Sequence, residues 1–125
     1  MSDNKKKSIL LIEDDNIIAD ILSERLKKAG YAIKVVNNGR LGILAINTKR
    51  PDIVLLDMFL PVLDGFGVLE ELKKSGFLPK LPVIIISNSG QSIEVERALK
   101  MGVRDYLVKL NFNPNDVLKK IKQVL

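Results

Sequence analysis

Short apolar runs alternate with segments of helical periodicity along this chain of 125 residues, and that alternation is the strongest constraint on its fold. Three of the runs, residues 9–12, 53–56 and 83–86, are apolar at every position. Strands buried on both faces have this composition, because helices cover both sides of a parallel sheet. After each run, apolar residues recur every three or four positions, which indicates a helix with one buried face.

Two further strands, at residues 33–36 and 106–108, complete five strand–helix units. Three helices are predicted to end at a glycine, namely Gly30, Gly76 and Gly102. The fifth helix is predicted to begin with Asn113 as its N-cap and Pro114 as its first residue. Because crossovers between parallel strands are right-handed, a (βα)5 chain forms a doubly wound, three-layer sandwich of the α/β class. We expect one domain over residues 8–125, preceded by a polar tail over residues 1–7.

The composition excludes several classes of chemistry. Cysteine and histidine are both absent, so the chain forms no disulfide or Cys/His zinc site and uses neither thiolate nor imidazole in catalysis. The apolar runs are far shorter than the roughly 20 residues of a membrane span, and we expect a soluble cytoplasmic domain. The net charge is +5, but the basic residues form scattered doublets near predicted helix ends, which disfavours nucleic-acid binding.

Charged and other polar residues follow four of the five predicted strands. They are Glu13, Asp14 and Asp15 after the first, Asp57 after the third, Ser87, Asn88 and Ser89 after the fourth, and Lys109 after the fifth. In parallel sheets of this class the site lies beyond the carboxyl ends of the strands, so these groups converge there. Clustered carboxylates repel one another, and a hard cation such as Mg²⁺ with oxygen ligands relieves the repulsion. The alternative is that the run from Glu13 to Asp15 only caps the first helix, which would account for Asp15 but not for Asp57 or Lys109.

The ordered set of motifs closely resembles the receiver domain of two-component response regulators, and the chemotaxis regulator in particular. The matching segments are residues 9–15, residues 52–57 with Pro61 and Asp64-Gly65, residues 83–87 and residues 106–109. Each motif alone is weak, but their order and spacing are specific, and the likeness extends from about Ser8 to Leu125. The resemblance implies a five-stranded parallel sheet of flavodoxin-like order 2-1-3-4-5.

The resemblance also implies a role for each site residue. Asp57 would accept a phosphoryl group, and Mg²⁺ would be bound by Asp14 directly, by Glu13 through water, by Asp57 and by the backbone carbonyl of Phe59. Lys109 would pair with the phosphoryl oxygens. Ser87 would donate its hydroxyl to the phosphate, and the aromatic ring of Tyr106 would move between exposed and buried positions as Ser87 moves.

The implied function is signalling through a covalent switch. The domain would be a phosphoacceptor, not an enzyme acting on other substrates, and would shift between two conformations. Its partners would be a sensor histidine kinase or histidine phosphotransfer protein as donor, and an output protein at the face between Ile93 and Lys122. We expect a monomer or weak dimer. A chain of this length has no room for a DNA-binding output domain, although the natural polypeptide could be longer.

Three positions depart from the family pattern. Leu110 replaces the proline that usually follows the lysine through a cis peptide, and a non-proline cis bond costs roughly 2.5–4 kcal/mol, so we expect a trans Lys109–Leu110 bond and a rearranged loop before Asn113. Asn88 replaces a small residue and could narrow the entrance for phosphate. Phe59 cannot orient a hydrolytic water, which predicts a long-lived phosphoaspartate.

Three other functions compete with this interpretation. A haloacid-dehalogenase-like phosphatase needs a second aspartate two residues after the nucleophile, where this chain has Phe59. A flavodoxin-like FMN protein needs a phosphate loop after the first strand, where Glu13, Asp14 and Asp15 would repel phosphate instead. The remaining alternative is a degenerate receiver that binds partners without being phosphorylated.

Overall fold

The computed structural model describes residues 6–88, 90–109 and 113–125. Strands and helices alternate along the chain in the order β1 (Ser8–Ile12), α1 (Asn16–Lys28), β2 (Ala32–Val36), α2 (Gly39–Thr48), β3 (Ile53–Leu56), α3 (Gly65–Lys74), β4 (Val83–Ser87), α4 (Ser92–Lys100), β5 (Asp105–Val108) and α5 (Pro114–Val124). The five strand–helix units predicted from the apolar runs are confirmed.

The strands form one parallel sheet in the order β2-β1-β3-β4-β5. Every residue of β3 and β4 is buried, and so are four of the five residues of β1. By contrast, β2 lies at the edge of the sheet and has no fully buried residue. The strand order implied by the family resemblance is therefore confirmed, and burial explains why the three inner strands carry uninterrupted apolar runs.

Helices cover both faces of the sheet and create two hydrophobic cores. Alternate residues of each strand point to opposite faces, so Ile12 and Leu56 enter one core while Leu11 and Leu55 enter the other. The first core lies against α2, α3 and α4 and the second against α1 and α5; their helical members include Ile46, Leu69 and Ala98 in the first and Leu22, Leu26 and Ile121 in the second. This arrangement is the predicted three-layer sandwich.

The predicted helix ends are found where the sequence indicates them. Gly30, Gly76 and Gly102 follow α1, α3 and α4 with φ angles of 99°, 80° and 106°, a left-handed conformation that favours glycine. At the start of α5, the Asn113 side chain accepts a hydrogen bond from the backbone N–H of Asn115, and Pro114 occupies the first turn. No helix in the described ranges is long and apolar enough to cross a membrane.

The register of the sheet determines which side chains meet at its carboxyl edge. Ile12 is paired with Leu56, so Glu13 and Asp57 follow on neighbouring strands. Ser87 is paired with Val108, so Lys109 continues from β5 beside the end of β4. The predicted trans Lys109–Leu110 bond and the rearranged loop fall on residues 110–112, outside the described residues, as does Ser89.

Candidate functional site

A lysine lies between two carboxylates at the carboxyl edge of the sheet. The Nζ atom of Lys109 is 2.8 Å from Glu13 Oε1 and 3.1 Å from Asp57 Oδ2. All three side chains are buried, and only 6% of the Lys109 side chain is exposed. The chain therefore places one positive charge against two negative charges in a region of low solvent access, where removing any one of them is costly.

The environment shifts the pKa of Glu13 strongly. Burial raises the pKa of this carboxyl to about 7; the hydrogen bond from Lys109 opposes the rise and the neighbouring Asp57 adds to it. Burial alone would lower the pKa of Lys109, but its contacts with Glu13 and Asp57 outweigh burial and raise it. Lys109 consequently stays charged, while Glu13 can exchange a proton near neutral pH.

Asp14 completes a group of three carboxylates that fits a divalent cation. Glu13, Asp14 and Asp57 each offer one oxygen, and these oxygens lie within 4.8 Å of one another. Asp14 is exposed to solvent, whereas the other two are buried, so an ion could enter from the Asp14 side. Carboxylate oxygens with access to water are the ligands that Mg²⁺ prefers. The donor set present therefore suits the ion that the sequence predicts.

The role of Asp15 differs from that of Glu13 and Asp14. Its carboxylate accepts hydrogen bonds from the backbone N–H groups of Ile17 and Ile18 and so caps α1. Its own backbone N–H donates to Glu13 Oε2 at 3.2 Å. The capping interpretation weighed for the whole acidic run thus applies to Asp15, while Glu13 and Asp14 face the site.

The loop after β3 orients Asp57. The backbone N–H of Phe59 donates to Asp57 Oδ1 at 3.2 Å, which leaves Oδ2 to Lys109. Met58 and Leu60 on either side are buried in the first core, while the Phe59 side chain is 55% exposed. The loop closes on α3, because the N–H of Gly65 donates to the carbonyl of Met58 at 2.9 Å.

Ser87 and Tyr106 lie beside each other on neighbouring strands. Ser87 is completely buried, and Tyr106 is partly buried against the first core. Burial raises the pKa of the Tyr106 hydroxyl, and a hydrogen bond with Ser87 acts in the opposite direction. The two residues assigned to switching by resemblance are therefore in contact, and any movement of Ser87 alters the surroundings of Tyr106.

The structure brings further residues to the site that sequence reasoning did not single out. A cleft opens beside the acceptor loop, and it is lined by Asp14, residues 58–61, Asp64, Phe66 and Glu94. Phe66 and Glu94 belong to α3 and α4. Their helical spacing gave no indication that they border the site, because neighbouring helices are defined only once the strands have paired.

Comparisons with known proteins give matches over nearly the whole chain. A family model described as the response regulator receiver domain matches residues 9–122. The chain is 34% identical over 123 residues to the Pyropia yezoensis protein named "Probable transcriptional regulator ycf27", which covers 98% of this chain and 49% of that protein. The chain spans about half the length of the curated relatives it matches.

Solved structures of similar chains share the fold closely. The receiver domain of Francisella response regulator 1452 has 28% sequence identity and a TM-score of 0.89, over 96% of its own length and 95% of this chain. A CheY-like response regulator receiver domain protein from Methanospirillum hungatei JF-1 has 28% identity and a TM-score of 0.87, over 93% of its length and 95% of this chain.

Proposed function

This chain belongs to the response regulator receiver domain family, and on that premise we propose that it accepts a phosphoryl group from a partner phosphohistidine onto Asp57 in a Mg²⁺-dependent reaction. The observation that carries the proposal is the meeting of three carboxylates with the Nζ of Lys109, 3.1 Å from Asp57. The domain would be a signalling component whose only chemistry is its own phosphorylation and dephosphorylation.

The transfer itself needs positioning and charge neutralisation more than covalent chemistry, because phosphoryl transfer has a loose transition state. A carboxylate oxygen of Asp57 forms the new P–O bond while the P–N bond of the donor breaks, and the leaving imidazole keeps the electron pair and takes up a proton. The hydrogen bond from the Phe59 N–H keeps the Asp57 carboxylate in one orientation. Lys109 would turn from Asp57 Oδ2 to the incoming phosphoryl oxygens.

The cation would be held by Asp14 directly, by Glu13 through water, by Asp57 and by the backbone carbonyl of Phe59. When bound, Mg²⁺ neutralises negative charge on the phosphoryl oxygens. The residues of the chain supply the rest. The exposed Asp14 keeps the entrance open to solvent, and the buried Lys109 balances Glu13 and Asp57 when the ion is absent.

The signal would arise from the charge that phosphorylation adds. A phosphoaspartate carries about −1.5 to −2 charges and strong acceptor oxygens, by analogy with other phosphorylated side chains. The hydroxyl of Ser87 would turn toward those oxygens and leave its hydrogen bond with Tyr106. Because β4 ends at Ser87 and α4 begins only five residues later at Ser92, this movement would carry the start of α4 with it and shift the domain between two conformations.

The proposed partners follow from the same chemistry. With no histidine among these 125 residues, the donor histidine lies outside this chain, on a sensor histidine kinase or a histidine phosphotransfer protein. The output partner would bind the face between Ile93 and Lys122, and we place the domain in the cytoplasm on the strength of its family. Its relatives are about twice as long, so an output domain on the same polypeptide is equally compatible with this proposal.

Phosphorylation by acetyl phosphate with Mg²⁺ tests the proposal. Intact-mass spectrometry should show the gain of one phosphoryl group in the unmodified sequence and in Asp20→Asn, a control on the exposed face of α1, but not in Asp57→Asn. Chelation of Mg²⁺ should abolish the gain. If no phosphoryl group is gained, and beryllofluoride with Mg²⁺ produces no spectroscopically detectable change of conformation, the domain is the unphosphorylated adaptor instead.

If the chain is phosphorylated, phosphotransfer from kinases encoded beside this protein would identify the donor.

A further inference from the structure

The helix α4 is attached to the rest of the domain more weakly than the other helices. Ala98 is the only buried residue among the nine that form it, whereas each of the other four helices buries at least three. Its N-cap residue, Gln91, makes no side-chain capping bond, unlike the N-cap residues of the other four helices. Ile93 and Leu99 point to solvent, with exposed fractions of 74% and 46%. Such an element can shift at low cost.

The side chain of Arg97 joins this helix to α3 through two contacts. The Arg97 guanidinium carbon lies 4.0 Å from the centre of the Phe66 ring, a cation–π contact. Its Nη2 atom donates to Glu70 Oε1 at 3.2 Å. Phe66 and Glu70 are one helical turn apart on α3, so the planar guanidinium covers the ring and reaches the carboxylate at the same time.

The same contact reaches the acceptor cleft. Phe66 packs against the first core and borders the cleft beside the acceptor loop, and Glu94 of α4 borders that cleft too. Glu94 and Arg97 are three residues apart on α4. A shift of α4 relative to α3 would therefore move Glu94 relative to Phe66 and change the width of the cleft.

We propose that Arg97 is a positioning residue that holds α4 in its resting place through Phe66 and Glu70, and so opposes the conformational change that phosphorylation drives. This inference rests on the proposed function. If the phosphorylated domain needs α4 to shift, any contact made only in the resting position disfavours phosphorylation. By linkage, weakening that contact raises the population of the shifted conformation and the apparent affinity for a phosphoryl mimic by the same factor.

The chain contains a matched control for this contact. Arg40 of α2 donates to Glu71 of α3 at 3.1 Å, with 56% of its side chain exposed against 55% for Arg97. Both are arginine–glutamate pairs between α3 and another helix, but the pair made by Arg40 joins α3 to α2 and not to α4. A substitution of Arg40 removes a comparable surface ion pair and leaves the contacts of Arg97 with Phe66 and Glu70 in place.

Two measurements on Arg97→Leu and Arg40→Leu test the inference. Amide hydrogen exchange within residues 92–100 should be about threefold to tenfold faster in Arg97→Leu and unchanged in Arg40→Leu. The affinity for beryllofluoride with Mg²⁺, followed by calorimetry, should increase by about the same factor in Arg97→Leu and stay unchanged in Arg40→Leu. Glu70→Gln should give a smaller change in the same direction, because it keeps the contact with the ring.

The outcomes separate this inference from the proposed function. If the unmodified chain does not bind beryllofluoride, the proposed function fails, and the exchange measurement still decides whether Arg97 holds α4. If the chain binds beryllofluoride and the two arginine variants have equal affinity, Arg97 has no part in the response and the inference is wrong. Weaker binding by Arg97→Leu would also overturn it, since Arg97 would then favour the phosphorylated conformation.

Discussion

At the scale of single residues, Lys109 determines the charge balance of the site. Its amine lies within 3.1 Å of both Glu13 and Asp57, so the two buried acids share one cation. A buried carboxylate that loses its partner destabilises a protein by about 3–5 kcal/mol. In the proposed reaction Lys109 must leave Asp57 for the phosphoryl group, and a cation beside the three carboxylates would compensate for its departure.

The side chain of Phe59 is expected to lengthen the lifetime of the phosphoaspartate. The Phe59 side chain is exposed beside Asp57 and has no group that can hydrogen-bond to an attacking water. Phe59→Asn should accelerate the loss of phosphate on the order of tenfold, because an amide can orient water. Phosphate release after removal of acetyl phosphate measures this rate, with Val62→Asn in the same loop as the control. Rapid loss from the unmodified protein that Phe59→Asn does not change would contradict the expectation.

The backbone of Val62 is strained. Val62 has a φ of 69°, a left-handed conformation that costs a β-branched residue about 1–2 kcal/mol, and its side chain is 78% exposed. Val62→Asn should raise the free energy of unfolding by about 1 kcal/mol, because asparagine tolerates this conformation and little apolar burial is lost. Urea unfolding gives the value. The same substitution in the extended strand β2, Val35→Asn, should lower stability; equal effects at the two positions would show that strain at Val62 is not the cause.

At the scale of elements, the acceptor loop depends on a close approach of backbones. A Cβ atom built on Gly65 would lie 2.5 Å from the Cα of Met58 and 2.9 Å from the carbonyl oxygen of Asp57. Neither backbone atom can move without displacing the acceptor. The first residue of α3 therefore has to be glycine for α3 to pack against the residue that follows Asp57.

Gly65→Ala should consequently impair both stability and phosphorylation. We expect the free energy of unfolding to fall by about 2 kcal/mol, typical of an overpacked site, and phosphorylation by acetyl phosphate to slow severalfold. Gly30→Ala is the control: its Cβ would meet no atom within 4 Å, so it should cost only the strain of its φ of 99°. A Gly65→Ala protein that is phosphorylated at the normal rate would refute the dependence.

The strands and helices that could be predicted from the sequence are those indicated by their own residues or by the residues next to them. Three buried strands follow from unbroken apolar runs, and the start of α5 follows from Asn113 and Pro114. The loop between β3 and α3 was not predictable. Met58 and Leu60 are buried in the core without any periodicity, and Val62 adopts a conformation that its own side chain disfavours, because packing against the sheet overrides local preference there.

Some features of the candidate site were likewise predictable from the sequence, and others were not. That acids and a lysine gather at one edge follows from strand parallelism and needed only the sequence. The pairing of Lys109 with Glu13 as well as Asp57, and the contact between Arg97 and Phe66, depend on register and on which helices are neighbours. Lys109 and Glu13 are 96 positions apart in the sequence, and Arg97 and Phe66 are 31 positions apart. No local sequence pattern indicates contacts over such separations.

At the scale of the whole molecule, the site makes stability depend on pH and Mg²⁺. Burial raises the pKa of Glu13 from its ordinary value of 4.5 to about 7, so between these values the folded chain binds a proton that the unfolded chain has lost. The contribution of Glu13 to the free energy of unfolding therefore falls as pH rises through this window, by up to about 3 kcal/mol. Mg²⁺ should restore stability more at pH 8 than at pH 6, because the cation favours the charged carboxylate. Urea unfolding from pH 5 to 8, with and without Mg²⁺, should show this slope in the unmodified protein and a flatter one in Glu13→Gln, which cannot titrate. Equal slopes in the two proteins would mean that Glu13 is already charged at acidic pH, and that Lys109 compensates for its burial in full.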